Sequence, residues 1–333
     1  MNVHDIQAIK ELLSSPKKIA IIPHRNPDGD AMGSSLGLYH FLIKNNHFPT
    51  VISPNEFPNF LAWMPGSETV RIFEKDRDNC TRILQESELI FTLDFNALHR
   101  VGEMENVLTT LAAPFVMIDH HQSPDDYATI QYSDVAFGST CEMIYNFISF
   151  LDKKSDIDKT IGTCLYTGIF TDSGSFRFPK TTGTTHRIVA EFIDLGVDNS
   201  LIPNLLFDNN SLGSLQLLGR ALENMKFYPA NKTAYTTLSQ AELNQFDYVK
   251  GDTEGIVNYG LKVKGIDFSA IFIENTAEKI IKISFRSQGD FDVNQFARDH
   301  FDGGGHRNAA GGKSILSLKD TVKKFETLAQ TLN

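Results

Sequence analysis

Thiol chemistry is nearly missing from this chain. Its 333 residues include only three cysteines, Cys80, Cys141 and Cys164, widely spaced and with no Cys-x-x-Cys. An odd, scattered set excludes a disulfide framework and a thiolate zinc site, and fits reduced, packed thiols. No apolar run approaches the roughly 20 residues that span a bilayer. The N-terminus, Met1-Asn2-Val3-His4-Asp5, lacks the basic stretch and apolar core of a secretory leader. A cytoplasmic protein without a membrane partner is therefore expected. Positive charge is short as well: 31 Lys and Arg stand against 41 Asp and Glu, a formal net charge of −10. Broad binding to nucleic acid needs a basic face, so long duplexes are excluded as partners. Internal repeats and low-complexity tracts are absent.

What remains is the composition of a folded protein, with 41% hydrophobic residues. The length is too great for one comfortable core and suits two domains. Helical spacing runs through Val3, Ile6, Ile9, Leu12 and Leu13, and then Ile19-Ala20-Ile21-Ile22 reads as a short buried strand. Further strands are predicted at 50–53, 89–94 and 115–119, and helices from Asp30 through Leu42 and at 139–151, 158–171 and 184–195. Strands alternating with helices predict an α/β fold built on a mostly parallel sheet. The pattern breaks at Gly196-Val197-Asp198-Asn199, and residues 212–226 read as a linking helix. Beyond Pro229, strands are predicted at 233–238, 255–261, 268–274 and 280–285. A helix at 292–301, a glycine loop and a last helix at 319–331 follow. The division expected is 1–195 for the first domain, 196–228 for the linker, and 229–333 for a smaller α+β domain.

Chemistry concentrates where predicted strands end. His24-Arg25-Asn26-Pro27-Asp28-Gly29-Asp30 follows one strand and precedes a helix, which is where open α/β sheets bind ligands. Taken alone, Asp28 and Asp30 would be turn and N-cap residues. The arrangement recurs, however. Asp94 ends the run Leu89-Ile90-Phe91-Thr92-Leu93. Asp119-His120-His121 ends Phe115-Val116-Met117-Ile118. Asp172 sits where a helix meets a glycine turn. Carboxylates and imidazoles without thiolates favour Mn²⁺ or Mg²⁺, with Fe²⁺, Co²⁺ or Zn²⁺ as substitutes. The donors exceed the needs of one ion. Two ions roughly 3.5–4 Å apart, sharing a carboxylate and a water, are the usual arrangement for hydrolysing a phosphate ester. His40, His47 and His99 lack partners of this type and read as surface or packing residues. Phe176 and Phe178, close after Asp172, are candidates to line the site or stack on a base.

With these residues in place the sequence resembles the DHH phosphoesterase family, whose namesake motif is Asp119-His120-His121. His24-x-x-x-Asp28-x-Asp30, Asp94 and Asp172 match its other metal motifs in order and context. Gly303-Gly304-Gly305-His306-Arg307-Asn308-Ala309-Ala310-Gly311 is similar to the signature of the associated DHHA1 domain. The resemblance covers nearly the whole chain. It implies a DHH domain and a DHHA1 domain joined by a linker helix, with substrate bound in the cleft between the domains. It implies two divalent cations, Mn²⁺ first, one on His24 and Asp28 and the other on Asp30, His120 and Asp172, with Asp94 bridging. His121 would contact the scissile phosphate, and Asp119 would lie behind the ligands and orient an imidazole. The size is similar to small bacterial members that degrade very short RNA and remove the 3′-phosphate of 3′-phosphoadenosine 5′-phosphate. Monomer and homodimer are both open.

In the second domain, the glycine triplet invites a backbone-amide cradle for an anion, weighed against a plain flexible loop. Arg286, in Ser284-Phe285-Arg286-Ser287, has the geometry to pair with a terminal phosphate. Arg286, Ser287, Gly303, Gly304, Gly305 and His306 are the expected substrate contacts. Competing readings are a pyrophosphatase or polyphosphatase, a cyclic-dinucleotide phosphodiesterase, and a nucleotide-binding module without turnover. The redundancy of the donor set weighs against the last.

Overall fold

The apolar run after the first helix forms a strand whose residues alternate between two cores. Ile19 and Ile21 face one, Ala20 and Ile22 the other. This is β1 (Lys18–Pro23), in a computed structural model that describes residues 1–208 and 210–331. It is joined by β2 (Phe48–Ser53), β3 (Arg71–Ile72), β4 (Leu89–Leu93), β5 (Phe115–Asp119) and β6 (Ile130–Ser133). The sheet order is β3-β2-β1-β4-β5-β6, and every pairing is parallel. β4 and β5 are buried at every position, as parallel strands covered on both faces must be. The covering helices are α1 (Val3–Leu12), α2 (Gly29–Lys44), α3 (Arg77–Glu86), α4 (Glu105–Leu108), α5 (Thr140–Phe150), α6 (Lys159–Asp172), α7 (Gly183–Asp194) and α8 (Leu201–Phe207). The α/β expectation with a mostly parallel sheet holds. The strands β3 and β6 and the helices α3, α4 and α8 were not read from the sequence.

Helices α2 and α6 approach closely because α2 presents glycine every fourth residue along one face. A Cβ at Gly29 would fall 2.4 Å from Thr171 Oγ1, one at Gly33 2.6 Å from the Cys164 carbonyl, and one at Gly37 2.6 Å from Leu165 Cδ2. Gly168 answers from α6, where a Cβ would lie 2.2 Å from Cys141 Sγ and 2.8 Å from Asp30 Oδ1. This contact sets Asp30, in the first turn of α2, beside the C-terminal end of α6, which carries Asp172.

The chain divides into two compact units, Met1–Asn209 and Asn210–Asn333. The second contains α9 (Leu212–Glu223), α10 (Gln240–Gln245), α11 (Asn258–Leu261), α12 (Val293–His300) and α13 (Leu318–Ala329). Its strands are β7 (Lys226–Tyr228), β8 (Thr233–Leu238), β9 (Phe268–Asn275), β10 (Ile280–Ser287), β11 (Gly304–His306) and β12 (Ala309–Ser314). The sheet order is β11-β12-β10-β9-β8-β7, mixed, with β8–β9 its parallel pair. Phe268, Phe272, Phe285, Phe296, Phe301 and Phe325 fill its core. α9 packs within this unit, with Leu217 and Ala221 buried beside Leu238 and Leu243. Two sequence expectations are corrected. Residues 255–261 form turns and α11 rather than a strand. The glycine loop is a hairpin of β11 and β12. No helix among the described residues is long and apolar enough to cross a membrane.

Candidate active site

β1, β4 and β5 are neighbours in the sheet, so the residues after their C-terminal ends share one edge. His24 follows β1 and Asp94 follows β4; Asp119 ends β5, and His120 and His121 continue from it. α2 adds Asp28 as its N-cap and Asp30 in its first turn, and α6 adds Asp172 as its last residue. The structure thus brings His24, Asp28, Asp30, Asp94, Asp119, His120, His121 and Asp172 to one place. Asp94 is held at φ 65°, a left-handed conformation that costs a non-glycine residue free energy and re-aims its side chain off the strand end.

The two oxygens of Asp94 face different imidazoles. Oδ2 lies 3.5 Å from His24 Nε2, which is 3.9 Å from Asp28 Oδ2. Oδ1 lies 3.4 Å from His120 Nε2, which is 3.3 Å from Asp172 Oδ2 and 3.7 Å from Asp30 Oδ2. These separations exceed ordinary hydrogen bonds. Ligand atoms about 2.1 Å from one ion stand roughly 3.0–3.4 Å apart at octahedral and tetrahedral angles. His24 Nδ1 is 2.9 Å from the Arg25 carbonyl, and His120 Nδ1 is 3.2 Å from the Phe137 carbonyl. A carbonyl only accepts, so each Nδ1 carries a proton and each Nε2 is the nitrogen left to meet a cation.

The charge balance points the same way. Asp30, Asp94 and Asp119 are buried, with His24, His120 and His121. Burial, then the Asp94 and Asp172 charges, push the Asp30 carboxyl well above its usual range. Burial pushes Asp172 up to about 7, although His120 opposes it. Asp119 rises to about 7, by burial and the Asp94 charge. Burial also acts to raise Asp94, but His120 and His24 outweigh it and hold this carboxyl well below normal. Burial lowers His120, yet Asp94 and the other carboxylates lift it to about 10. Buried carboxylates at this density carry more negative charge than the imidazoles offset, which a divalent cation would relieve. Oxygen and imidazole donors without thiolate fit Mg²⁺, Mn²⁺ or a similar ion. The groups of donor atoms with this closeness include His24, Asp28 and Asp94; Asp30, His120 and Asp172; and Asp94, Asp119 and His121.

Asp28 combines both readings of the sequence. Its Oδ1 caps α2 by accepting from the Asp30 and Ala31 amides, while Oδ2 turns toward His24. His121 meets Asp119 most closely: its Nδ1 is 2.7 Å from Asp119 Oδ1 and 3.8 Å from Asp94 Oδ1, and burial drives its pKa well below normal.

Sequence reasoning missed the residues that orient the donors. The Thr140 amide donates to Asp30 Oδ2 at 2.6 Å and the Cys141 amide to Oδ1 at 2.9 Å, placing the Asp30 carboxylate on the N-terminus of α5. The Thr140 hydroxyl donates to Asp94 Oδ1 at 2.9 Å. The available signal was the helix start at Ser139, whose side chain accepts from the Glu142 amide. Asn55 was also missed. It accepts the Asn26 amide at 2.7 Å and donates to Asn26 Oδ1 at 2.8 Å, fixing the turn between His24 and Asp28.

In the second unit, Arg286 pairs with Ala309 across β10 and β12, and Ala309 pairs with His306 across β12 and β11. Directly paired residues share a face, so Arg286 and His306 flank the small Ala309 on one side of the sheet. Ser287 is turned the other way: its hydroxyl donates to the Phe291 carbonyl and accepts from Asn308. The glycines serve close packing. A Cβ at Gly303 would meet the Gly311 carbonyl at 2.0 Å, and Gly305, at φ 153°, would meet that of Ala309 at 2.5 Å. The Gly305 amide is already donated to Asn294 Oδ1 at 2.8 Å, so it is not open to an anion.

Comparison with known proteins agrees along nearly the full chain. The DHH family, N-terminal domain, matches residues 18–169, and the DHHA1 domain matches residues 231–332. The chain is 30% identical over 320 residues to the bifunctional oligoribonuclease and PAP phosphatase NrnA of Thermus thermophilus, covering 94% of this chain and 89% of that protein. It is 28% identical over 328 residues to a Streptococcus mutans protein named probable bifunctional oligoribonuclease and PAP phosphatase NrnA, covering 98% and 99%. Among solved structures, an exopolyphosphatase-related protein from Bacteroides fragilis superposes with a TM-score of 0.94 at 38% identity, covering 99% of this chain and 96% of that one.

Proposed function

The chain belongs to the DHH family of phosphoesterases, carrying a DHHA1 domain after the DHH domain, and on that premise we propose that it hydrolyses very short RNA and removes the 3′-phosphate of 3′-phosphoadenosine 5′-phosphate. Two divalent cations, Mn²⁺ in first place, are the proposed cofactors. His24 and Asp28 would hold one, Asp30, His120 and Asp172 the other, and Asp94 both. The observation that carries this reading is the pair of opposed contacts on Asp94, one oxygen toward His24 and the other toward His120.

Bound cations of this kind supply an acidic water and positive charge against the phosphoryl oxygens. The side chains prepare the rest. His24 and His120 are fixed by backbone carbonyls in the tautomer that presents Nε2. The amides of Thr140 and Cys141 keep the Asp30 side chain aimed. Asp119 engages His121 at Nδ1, so Nε2 is the nitrogen that would meet the scissile phosphate. Arg286 and His306 are the proposed holders of a second substrate group, with Ser287, Gly303, Gly304 and Gly305 shaping the strands around them. The net charge of −10 provides no extended basic track, which favours short substrates.

A second reading, pyrophosphate or polyphosphate hydrolysis, is favoured by the similarity to an exopolyphosphatase-related protein. One panel separates the two. The Mn²⁺-loaded chain is assayed on 3′-phosphoadenosine 5′-phosphate, RNA dimers to pentamers, a long RNA, cyclic di-AMP and pyrophosphate. The nucleotide reading requires that the first two exceed the others. Preferential release of phosphate from pyrophosphate would replace it.

A further inference from the structure

The segment 174–180 leaves the site at Asp172 and returns to its rim. Gly174, Ser175 and Phe176 stand in succession at φ 57°, 61° and 63°. Glycine takes this conformation freely, but serine rarely does, and for a bulky phenylalanine it is strained. Ser173 holds the turn in place. Its hydroxyl accepts the Phe176 amide at 2.9 Å, and its carbonyl accepts the amides of Arg177 at 2.9 Å and Phe178 at 3.0 Å. Lys180 closes the segment against the turn before α5, where a Cβ at Gly138 would stand 3.4 Å from the Lys180 carbonyl. Burial lowers the Lys180 pKa, while the Asp172, Asp134 and Asp119 carboxylates raise it, so its ammonium lies within electrostatic reach of the metal-site acids.

Two phenylalanines, Phe176 in the strained turn and Phe178 just after it, take different places. Phe176 enters an aromatic cluster, its ring 5.4 Å from Phe170 and 5.3 Å from His186. Phe178 is 49% exposed. Its ring rests on bare backbone: a Cβ at Gly174 would fall 2.5 Å from Phe178 Cζ. A scattered surface phenylalanine needs no explanation. This one is presented by successive strained residues, six positions after a proposed metal ligand, in a loop that also carries Arg177 and Lys180.

We infer that Phe178 is a nucleobase platform, on which one base of the substrate stacks while the adjoining phosphate lies at the metal-binding carboxylates. The inference rests on the nucleotide reading above and assigns the base recognition which that reading leaves open. Stacking on an aromatic ring tolerates every base, because each has a π-face. The platform therefore asks for a base without selecting a sequence.

The test uses the full-length, Mn²⁺-loaded protein, with 5′-phosphorylated diadenylate and an analogue whose bases are replaced by hydrogen. In Phe178→Ala, KM for diadenylate should rise about tenfold, the effect of one lost stack, while kcat stays within about twofold. The base-free analogue should be cleaved equally by both proteins. Phe178→Leu, which keeps an apolar cover over Gly174, should behave like the alanine variant, and Phe178→Trp like wild type. Unchanged KM for diadenylate in Phe178→Ala, or an equal loss on the base-free analogue, overturns the platform. If wild type cleaves neither diadenylate nor 3′-phosphoadenosine 5′-phosphate, the nucleotide reading and the platform fall together.

Discussion

Asp119 fixes His121 at two points: its Oδ1 lies 2.7 Å from the ring Nδ1, and its Oδ2 accepts the backbone amide of the same residue at 3.1 Å. A ring held this way is a positioned hydrogen-bonding group rather than one free to swing onto an ion. His121→Ala should therefore keep its metal content near wild type and lose about 10²–10³-fold in kcat, the usual cost of one contact to a developing oxyanion. Elemental analysis of the purified variant checks the first half and steady-state kinetics the second. Loss of an ion would move His121 among the ligands.

Asp94→Asn tests the shared carboxylate. Asparagine tolerates the left-handed backbone at this position, so the fold should survive where alanine would add strain. Losing the charge between His24 and His120 should lower metal content at both positions. Turnover should drop by more than the about 10–100-fold that a change behind the ligands produces. Two ions still bound per chain would refute the bridging role.

His47 offers a pH dependence away from the metal site. The side chain is buried, and its Nδ1 has no hydrogen-bond partner among the described residues. Burial, then the charge of Lys17, lowers its pKa from the ordinary value of 6.5. The unfolded chain protonates His47 as pH falls through that ordinary value, and the folded chain does so only at lower pH. Acid thus favours unfolding through this residue, while above the ordinary value it has no effect. His47→Leu should gain stability relative to wild type at pH 5.5 compared with its difference at pH 8. Urea melts followed by Trp63, the one tryptophan, at both pH values provide the measurement. An equal difference at both would show that His47 does not titrate on unfolding.

The parallel sheet and the strand-end acids were legible because local pattern carries them: an apolar run, then a carboxylate, then a helix. What escaped was decided by long-range contact. Residues 255–261 read as a β-branched strand, yet a Cβ at Gly260 would strike Ser269 Oγ at 2.2 Å, and Ile256 and Val257 are both buried, so the segment packs as turns and α11. The hairpin at 304–314 has little strand propensity; its glycines let backbone approach backbone. Thr140 supports Asp30 across 110 residues and Asn55 clasps Asn26 across 29, distances over which no spacing rule operates.

Two glycines make opposite predictions from the same principle. Gly168 sits where α6 meets α2 and α5, and an added methyl would press on Cys141 Sγ and Asp30 Oδ1. Both neighbours are constrained: the thiol is buried, and Asp30 is held by two backbone amides. Gly168→Ala should cost about 1–3 kcal/mol of stability through overpacking. Because the displaced group is a proposed ligand, metal content should fall as well. Gly219 lies inside α9, with nothing within 4 Å of the position its Cβ would take. There the methyl restricts the unfolded chain without a clash, so Gly219→Ala should stabilise by about 0.5–1 kcal/mol. Calorimetry on both variants, with metal analysis of the first, decides the matter. If Gly168→Ala is neutral with both ions retained, the close approach of α2 and α6 does not position Asp30.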